Sequence, residues 1–249
     1  MNTERTCCIF DATLSTSHEE VDCSDCGLDP MCLVLDYAEQ GSGVPEGILL
    51  RRQPVGLGEK LYNAHQDFDA IYAVKSGTFK AFVEQLDGTE RVVGFYIAGD
   101  LMGAEAIAEH EYSCSVRALE PSQVCVLHID RLVDSGRSLE AVQSALINML
   151  GKEVALNHLM TAALVRQNAE QRLAAFLTSL SDRMKGRGFS PLNFELRMSR
   201  SDIGSYLGLA RETVSRLLTQ FQRRGLIQLR KRQLHLLDPH ALRRLAYPL

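Results

Sequence analysis

Three cysteines lie close together near the N-terminus, in the pattern Cys23-x2-Cys26-x5-Cys32. Thiolates supplied by one short loop suit a soft metal ion or a metal cluster, because sulfur is a soft ligand. The chain has seven cysteines in total, so they cannot all be paired in disulfides. We therefore expect metal binding or thiol redox chemistry from this segment.

A second group of residues with recognisable chemistry lies near the C-terminus, at Glu212, Ser215 and Arg216. Their spacing of i, i+3 and i+4 places them on one face of a helix, opposite the apolar Val214 and Leu218. Arginine can donate two hydrogen bonds to guanine, glutamate can accept from cytosine, and serine can adapt to either. A carboxylate on a basic surface repels phosphates, so its presence indicates sequence-specific DNA binding. The alternative is an ordinary Glu–Arg pair on a solvated helix.

The residues around this face predict a helix-turn-helix that would position it. Ser199, with Asp202 three residues later, has the pattern of a capping box that begins a helix. Gly208 marks the turn, and the next helix is expected from Arg211 to Arg223 with its apolar side chains inward. The alternating residues after Leu226 predict a β-hairpin with a basic tip, which is the wing of a winged helix.

The charge distribution supports this assignment. The segment from Arg197 to Leu249 holds 11 Arg or Lys residues and 3 acids, which gives a formal charge of +8. The remaining 196 residues carry 16 basic and 28 acidic side chains, which gives −12. A basic quarter on an acidic body is typical of a module that binds a polyanion, although an uneven solvated surface has the same composition. We expect phosphate contacts from Arg211 at the helix start and from Arg230 and Lys231 at the wing tip.

The sequence between the cysteines and the last domain changes character twice. From about residue 47 it contains short strand-forming runs separated by turn residues, such as Lys75-Ser76-Gly77 and Leu86-Asp87-Gly88. Runs at this spacing, without long helices between them, predict an antiparallel barrel or roll. The expected parts are a cysteine loop at 1–45, a β-roll at 46–138, a long helix at 139–167 and a winged helix-turn-helix at 168–249.

The long helix carries apolar residues at steps of three and four. Such a seam has more apolar surface than one domain can cover, which favours a homodimer formed through a coiled-coil-like contact. The alternative is a single helix packed along its own roll. The residues expected at the dimer seam are Leu146, Met149, Leu150, Val154 and Leu164.

The run from Met198 to Arg216 resembles the DNA-binding segment of the CRP/FNR family of bacterial regulators. Its Glu212-x-x-Ser215-Arg216 pattern is similar to that of the FNR branch, the oxygen-responsive fumarate and nitrate reduction regulators. The order of elements also fits that family over nearly the whole chain. Two further runs fit the FNR branch, namely Val93-Gly94-Phe95 and Phe189-Ser190-Pro191.

The resemblance implies an α+β fold, in which an antiparallel β-roll of the cyclic-nucleotide-binding type is joined by a long dimerisation helix to a C-terminal winged helix-turn-helix. It implies double-stranded DNA with half-sites like TTGAT and ATCAA as the target, one half-site being bound by each subunit. It also implies RNA polymerase as a partner. On this basis the chain is expected to be a transcription regulator that activates or represses genes of anaerobic metabolism.

FNR proteins hold a 4Fe-4S cluster on three N-terminal cysteines and one cysteine of the roll. The resemblance therefore implies the same cofactor here, with Cys23, Cys26 and Cys32 matching the first three ligands by their spacing. Cys125 falls at the family's position for the fourth ligand, and Cys114 is the competing candidate. The protein is then expected to sense oxygen and to bind DNA as an anaerobic homodimer.

Two other sulfur-based switches remain alternatives. A structural zinc site usually combines two short pairs of cysteines, whereas this chain has one such pair, Cys23 and Cys26, with Cys32 alone five residues further on. A thiol–disulfide switch without a metal needs only two of the same cysteines. Either would make the protein a redox regulator with the same DNA-binding domain.

A cyclic-nucleotide-responsive activator of the same fold is an alternative of a different class. Its pocket needs a glycine–glutamate turn, for which Gly103 and Glu105 are present, and an arginine to hold the cyclic phosphate. The residues at the expected arginine position are Tyr112-Ser113-Cys114, and Arg117 is two or more positions away. A phosphate without its cation is poorly held, so the sequence disfavours this function.

An enzyme and a membrane protein are both disfavoured. The seven histidines are scattered, and the sequence has neither a nucleophile motif nor a phosphate-binding glycine loop. No apolar run approaches the ~20 residues that span a bilayer, and the N-terminus lacks the pattern of a signal peptide. We therefore expect a cytosolic, non-catalytic protein whose thiols are kept reduced.

Overall fold

A computed structural model describes residues 20–21, 49–128 and 167–247, together with positions 147, 148, 150, 151, 154, 155 and 158. The first domain contains eight strands in the described range and one short 3-10 helix, Ala104–Ile107. The strands are β1 (Leu49–Val55), β2 (Lys60–Tyr62), β3 (Ala70–Ser76), β4 (Thr78–Glu84), β5 (Glu90–Ile97), β6 (Leu101–Met102), β7 (Ser115–Ala118) and β8 (Ser122–His128).

These strands form two antiparallel four-stranded sheets, in the orders β1-β8-β3-β6 and β2-β7-β4-β5. The inner faces of both sheets contribute to one apolar core, which includes Val74, Phe79, Val116 and Val124. Alternate residues of a strand face opposite sides of its sheet. This explains why strand-forming residues recur through the segment and confirms the predicted antiparallel roll.

The two predicted turns between strands have different roles. Residues 85–89 form a true hairpin turn, since β4 and β5 pair directly and the N–H of Gln85 donates to the Thr89 carbonyl at 2.8 Å. The turn at Gly77 instead passes the chain from one sheet to the other, because β3 and β4 belong to different sheets. Gly77 has a φ of 93°, and a Cβ there would lie 2.1 Å from the hydroxyl oxygen of Ser122. Only glycine fits this crossing.

The second domain contains four helices, α1 (Ala169–Gly186), α2 (Arg200–Leu207), α3 (Arg211–Arg223) and α4 (Pro239–Ala246). Each of α1, α2 and α4 begins at a capping side chain, which accepts a hydrogen bond from the backbone of the first turn. The capping residues are Asn168, Ser199 and Asp238. The predicted helix-turn-helix therefore forms with the expected bounds.

The wing is a sheet of three strands rather than a hairpin of two. Strands β10 (Ile227–Arg230) and β11 (Gln233–Leu236) form the predicted hairpin. Strand β9 (Asn193–Glu195) pairs with the other edge of β11, so β11 is the central strand. Strand β9 was not predicted from the sequence, because it is only three residues long and carries a single buried apolar residue, Phe194.

The remaining expectations about architecture concern parts of the chain that are largely outside the described residues. This applies to the cysteine loop at 1–45, except for Glu20 and Val21, and to most of the long helix at 139–167. The seven described positions between 147 and 158 are helical. Within the described residues, no helix has the length and apolar character required to cross a membrane.

Candidate functional site

The exposed face of α3 carries the three residues predicted to contact bases. Glu212, Ser215 and Arg216 are all exposed, whereas Val214 and Leu218 on the opposite face are buried in the core. The structure therefore brings the three polar side chains together on a surface that a major groove could receive. Two residues that the sequence analysis did not select, Thr219 and Arg223, continue the same face one and two turns further on. Their spacing from Ser215 was the available signal.

The hydroxyl groups on this face are oriented by the helix itself. Ser215 donates to the Arg211 carbonyl at 3.1 Å, and Thr219 donates to the Ser215 carbonyl at 3.0 Å. With its proton engaged in this way, the Ser215 oxygen is left as an acceptor toward DNA. An acceptor at this position suits the amino groups of cytosine or adenine.

The turn between α2 and α3 is tightly built, which fixes the orientation of α3. Gly208 adopts the left-handed conformation, with a φ of 63°. A Cβ on Gly204 would lie 2.5 Å from the Leu209 carbonyl oxygen, so a residue without a side chain is required there as well. From α1, Arg172 donates to the Leu207 carbonyl at 2.6 Å and holds the end of α2.

The start of α2 gives a prediction about stability. The Ser199 hydroxyl accepts from the Asp202 N–H at 3.0 Å, and the Asp202 carboxylate accepts from the Ser199 N–H at 3.3 Å. Ser199→Ala removes the first of these bonds and is expected to lower the free energy of unfolding by ~1 kcal/mol. Urea denaturation would measure this change, with Ser199→Thr as the matched variant that keeps a capping hydroxyl. Equal stabilities of the alanine and wild-type proteins would contradict the cap assignment.

The basic residues predicted to contact phosphates lie around this face. Arg211 is exposed at the first position of α3. Arg230 and Lys231 are exposed at the wing tip, where Lys231 adopts a left-handed conformation with a φ of 55°. The turn is anchored by the N–H of Leu196, which donates to the Arg232 carbonyl at 2.8 Å. The wing therefore holds its cations away from the protein body.

Cys125 lies on β8, which is flanked by β1 and β3 in its sheet. Val124 and Val126 on either side of it point into the core, so the Cys125 side chain lies on the opposite face of the sheet, where it is half-buried. Its ladder partner on β3 is Ala73. On the other side, the register of β1 shifts between the partners of Val126 and Val124, which places an irregularity of β1 beside Cys125.

The N-terminal segment is attached to the same sheet shortly before the first predicted ligand. Val21 is fully buried, and its N–H donates to the Lys75 carbonyl at 3.0 Å. The Lys75 ammonium group donates back to the Val21 carbonyl. Glu20 forms an isolated bridge with Ser76 and an ion pair with Arg52 at 2.8 Å. This attachment lies at the end of β3, two residues along that strand from the partner of Cys125.

Cys114, the competing candidate, has a different environment. It is 5% exposed and belongs to the apolar core between the two sheets. Its sulfur lies 3.8 Å from a carboxylate oxygen of Glu105. Burial raises the pKa of the Cys114 thiol to about 12, and the negative charge of Glu105 acts in the same direction. Because metal ligation requires a thiolate, this environment disfavours Cys114 as a ligand.

The residues expected in a cyclic-nucleotide pocket are arranged in a way that disfavours that ligand. Gly103 has a φ of 82° and begins the short 3-10 helix that carries Glu105. Glu105 accepts from the Cys114 thiol at 3.8 Å, in the segment where the sequence of a nucleotide pocket would need a cation. Arg117 donates instead to Glu90 at 2.6 Å and packs over the Phe82 ring.

The other predicted sites are described only in part. Cys23, Cys26 and Cys32 lie outside the described residues, as do Leu146, Met149 and Leu164 of the dimer seam. Leu150 is half-buried, and Val154 is 52% exposed. Within the described residues, no group of three or more His, Cys, Asp or Glu side chains is placed to hold a metal ion.

Comparison with known protein families matches both domains. Residues 171–245 match the family model of a Crp-like helix-turn-helix domain, and residues 52–134 match that of a cyclic nucleotide-binding domain. Among solved structures, FixK2 from Bradyrhizobium japonicum superimposes with a TM-score of 0.71 at 26% identity, over 80% of this chain and 98% of that chain. The likeness supports the order of elements described above.

Curated relatives match over most of the sequence. The chain is 36% identical over 230 residues to the transcriptional activator protein Anr of Pseudomonas protegens, covering 92% of this chain and 94% of that protein. It is 35% identical over 226 residues to the fumarate and nitrate reduction regulatory protein of Escherichia coli, covering 91% and 90% respectively.

Proposed function

Because the chain belongs to the CRP/FNR family of DNA-binding transcription regulators, we propose that it controls transcription in response to oxygen through a bound 4Fe-4S cluster. The relatives described above are regulators rather than enzymes. The observation that carries the proposal is the attachment of the N-terminal segment beside Cys125. It would bring the loop that carries three cysteines to the face of the roll where the fourth is half-buried.

Chain geometry supports Cys125 as the fourth ligand. Lys75 binds Val21, and it lies two residues, or ~7 Å, along β3 from Ala73. Ala73 is the partner of Cys125 on β8, and paired strands are ~5 Å apart. The two residues from Val21 to Cys23 can span up to ~7 Å. The cysteine loop therefore begins within reach of Cys125. Cys114, in contrast, faces the interior, and a loop on the outer face could reach it only by passing through the core.

The donor set fits the proposed cofactor. Four thiolates suit an iron–sulfur cluster, which supplies an oxygen-sensitive centre that the amino acids alone do not have. Cys23, Cys26, Cys32 and Cys125 would hold it between the loop and β8. The ion pairs of Glu20 with Arg52 and Lys75 would fix one end of the loop on the sheet. Ligation would then order the rest of the loop against the roll.

DNA binding would follow from pairing of two chains through the long helix. The seam of Leu146, Met149, Leu150, Val154 and Leu164 would bring two winged helices about one DNA turn apart. Each α3 would contact one half-site of a TTGAT/ATCAA palindrome through Glu212, Ser215 and Arg216. Bound near a promoter, such a dimer would act by contacting RNA polymerase.

The different roles of base and phosphate contacts give a prediction. Arg216→Ala is expected to cost ~1–3 kcal/mol of binding free energy and to relax the preference at one guanine per half-site. Lys231→Ala should weaken binding to all sequences alike and reduce the salt dependence. Binding-site selection with both variants, followed by affinity measurements at several salt concentrations, would compare them. A selected half-site that stays equally sharp after Arg216→Ala would refute the assigned base contact.

The proposed function is tested by measuring DNA affinity with and without oxygen. Protein purified anaerobically should bind the palindrome specifically, and exposure to air should reduce its affinity to the non-specific level, ~10³-fold weaker or more. A thiol reductant alone should not restore binding, whereas iron, sulfide and reductant together should. Restoration by the reductant alone would indicate a thiol–disulfide switch, and affinity unaffected by air would contradict oxygen sensing.

A further inference from the structure

The roll and the winged helix share part of one apolar core. Val92, Phe95 and Ile97 of β5 belong to the same buried cluster as the side chains of α1, α2 and α3. The Phe95 ring lies 5.3 Å from the ring of Tyr206 on α2 and 5.8 Å from that of Phe176 on α1. The DNA-binding domain is therefore docked on its own roll over a specific surface.

A buried lysine connects the two domains at the edge of this surface. The ammonium group of Lys80, on β4, lies 2.7 Å from a Glu90 oxygen and 2.9 Å from an Asp202 oxygen, and its side chain is 11% exposed. Arg117 completes the group through its bond to Glu90 at 2.6 Å. Two positive and two negative charges thus compensate each other. Lys80 is the least exposed of the four, so its attraction to the two carboxylates is screened less by salt than that of a surface pair.

Two polar contacts of the roll are made to α2, the helix that positions α3, in addition to those of Arg183 on α1, which donates to the Phe95 carbonyl at 2.8 Å and pairs with Asp100. Asp202 accepts from Lys80 while it also caps α2 through Ser199. One turn later, the Ser205 hydroxyl accepts from the Val92 N–H of β5 at 2.9 Å. Two directed contacts on one face, three residues apart, fix both the position and the rotation of α2. Since the Gly208 turn is rigid, they also fix the direction in which α3 points.

We propose that Lys80 is a positioning residue that sets the spacing between DNA half-sites which the dimer accepts. The inference rests on the proposed dimeric binding to a palindrome. Inserting one base pair moves a half-site by ~3.4 Å along the DNA and by about 35° around it, since one turn contains about 10 base pairs. A winged helix docked on its roll cannot follow this movement. A winged helix whose α2 is no longer held by Lys80 can tilt on its remaining contacts with the roll and follow part of this movement.

Lys80→Met is the variant that tests this role. It removes the charge but keeps the aliphatic stem, and it leaves Glu90 with Arg117 and Asp202 with Ser199, so neither carboxylate loses all its partners. Lys60→Met is the matched control. Lys60 also lies over the Phe82 ring, at 5.6 Å, but its ion pair with Glu84 at 3.1 Å remains within the roll.

Binding-site selection with the wild-type protein first gives its preferred spacing between half-sites. The affinity of each protein is then measured, in the absence of oxygen, for palindromes with that spacing and with one base pair added or removed. Wild type and Lys60→Met should prefer one spacing by at least about tenfold, because misplacing one half-site loses its base contacts. Lys80→Met should retain binding at that spacing but discriminate by less than about threefold. Ser205→Ala, which breaks the other contact to α2, should change the ratio in the same direction.

Discrimination by Lys80→Met and Ser205→Ala that equals that of wild type would overturn the positioning role while leaving the proposed function intact. A wild-type protein that shows no preference for the palindrome at any spacing would overturn both. Affinity for a single half-site distinguishes a third outcome. If Lys80→Met lost affinity for the palindrome at its preferred spacing and lost affinity for a single half-site to the same extent, the lysine would act on the fold of the winged helix, and the proposal would be wrong.

Discussion

A protein carrying Cys125→Ser is expected to fold and to bind no iron–sulfur cluster. Serine keeps the size and hydrogen-bonding capacity of the side chain on β8, but its hydroxyl is a poor ligand for iron at neutral pH. The iron and sulfide content after anaerobic reconstitution should fall to background. Specific DNA affinity should then equal that of air-exposed wild type, ~10³-fold or more below the anaerobic value.

Cys114→Ser is the matched control for this prediction. The same substitution inside the core should leave iron and sulfide at the wild-type level, because Cys114 lies among apolar side chains beside Glu105, where burial raises the pKa of its thiol. Its cost should appear as a loss of unfolding free energy of ~1–3 kcal/mol, since the buried site favours the less polar thiol. A cluster that survives Cys125→Ser and is lost in Cys114→Ser would reverse the ligand assignment.

Leu150→Glu is expected to abolish dimer formation while leaving the cluster in place. A carboxylate at the centre of an apolar seam would have to be buried without a partner, which costs several kcal/mol. A cost of ~3 kcal/mol already weakens dimerisation by more than about 100-fold. Sedimentation under anaerobic conditions should show a monomer, and specific binding to the palindrome should be lost with it.

Asn148→Glu provides the control on the same helix. Asn148 is exposed and lies almost opposite Leu150, two residues away along the helix. Asn148→Glu introduces the same charge outside the predicted seam, so the dimer and its DNA affinity should be unaffected. A normal dimer in Leu150→Glu would refute the seam, and dissociation caused equally by both variants would place the interface elsewhere on the helix.

The sequence predicted the DNA-binding domain in detail because its signals are local. The capping pattern of Ser199 and Asp202 gave the start of α2, and Gly208 gave its end. The apolar spacing of α3 separated its buried face from the face of Glu212 and Arg216. In each case the residues that determine the structure lie within about two helical turns of each other, where backbone geometry fixes their relation.

The parts that sequence patterns did not predict depend on residues far apart in the chain. Lys80 and Asp202 are 122 residues apart, and no local pattern relates a strand residue to a helix cap in another domain. Lys75-Ser76-Gly77 has the composition of a hairpin turn, yet the chain there crosses between two sheets, and Ser122 of the distant β8 packs against Gly77. The choice between Cys125 and Cys114 likewise depends on which face of a sheet each occupies, and spacing alone left both open.

Analysis of the anaerobically purified wild-type protein for iron, acid-labile sulfide and zinc, together with its visible absorption spectrum, tests the central claim most directly. The protein is expected to be brown and to contain about four iron and four sulfide per chain. The colour and the specific DNA affinity are expected to disappear together when air is admitted. A colourless protein that binds the palindrome equally well with and without air, with or without zinc, would contradict this claim.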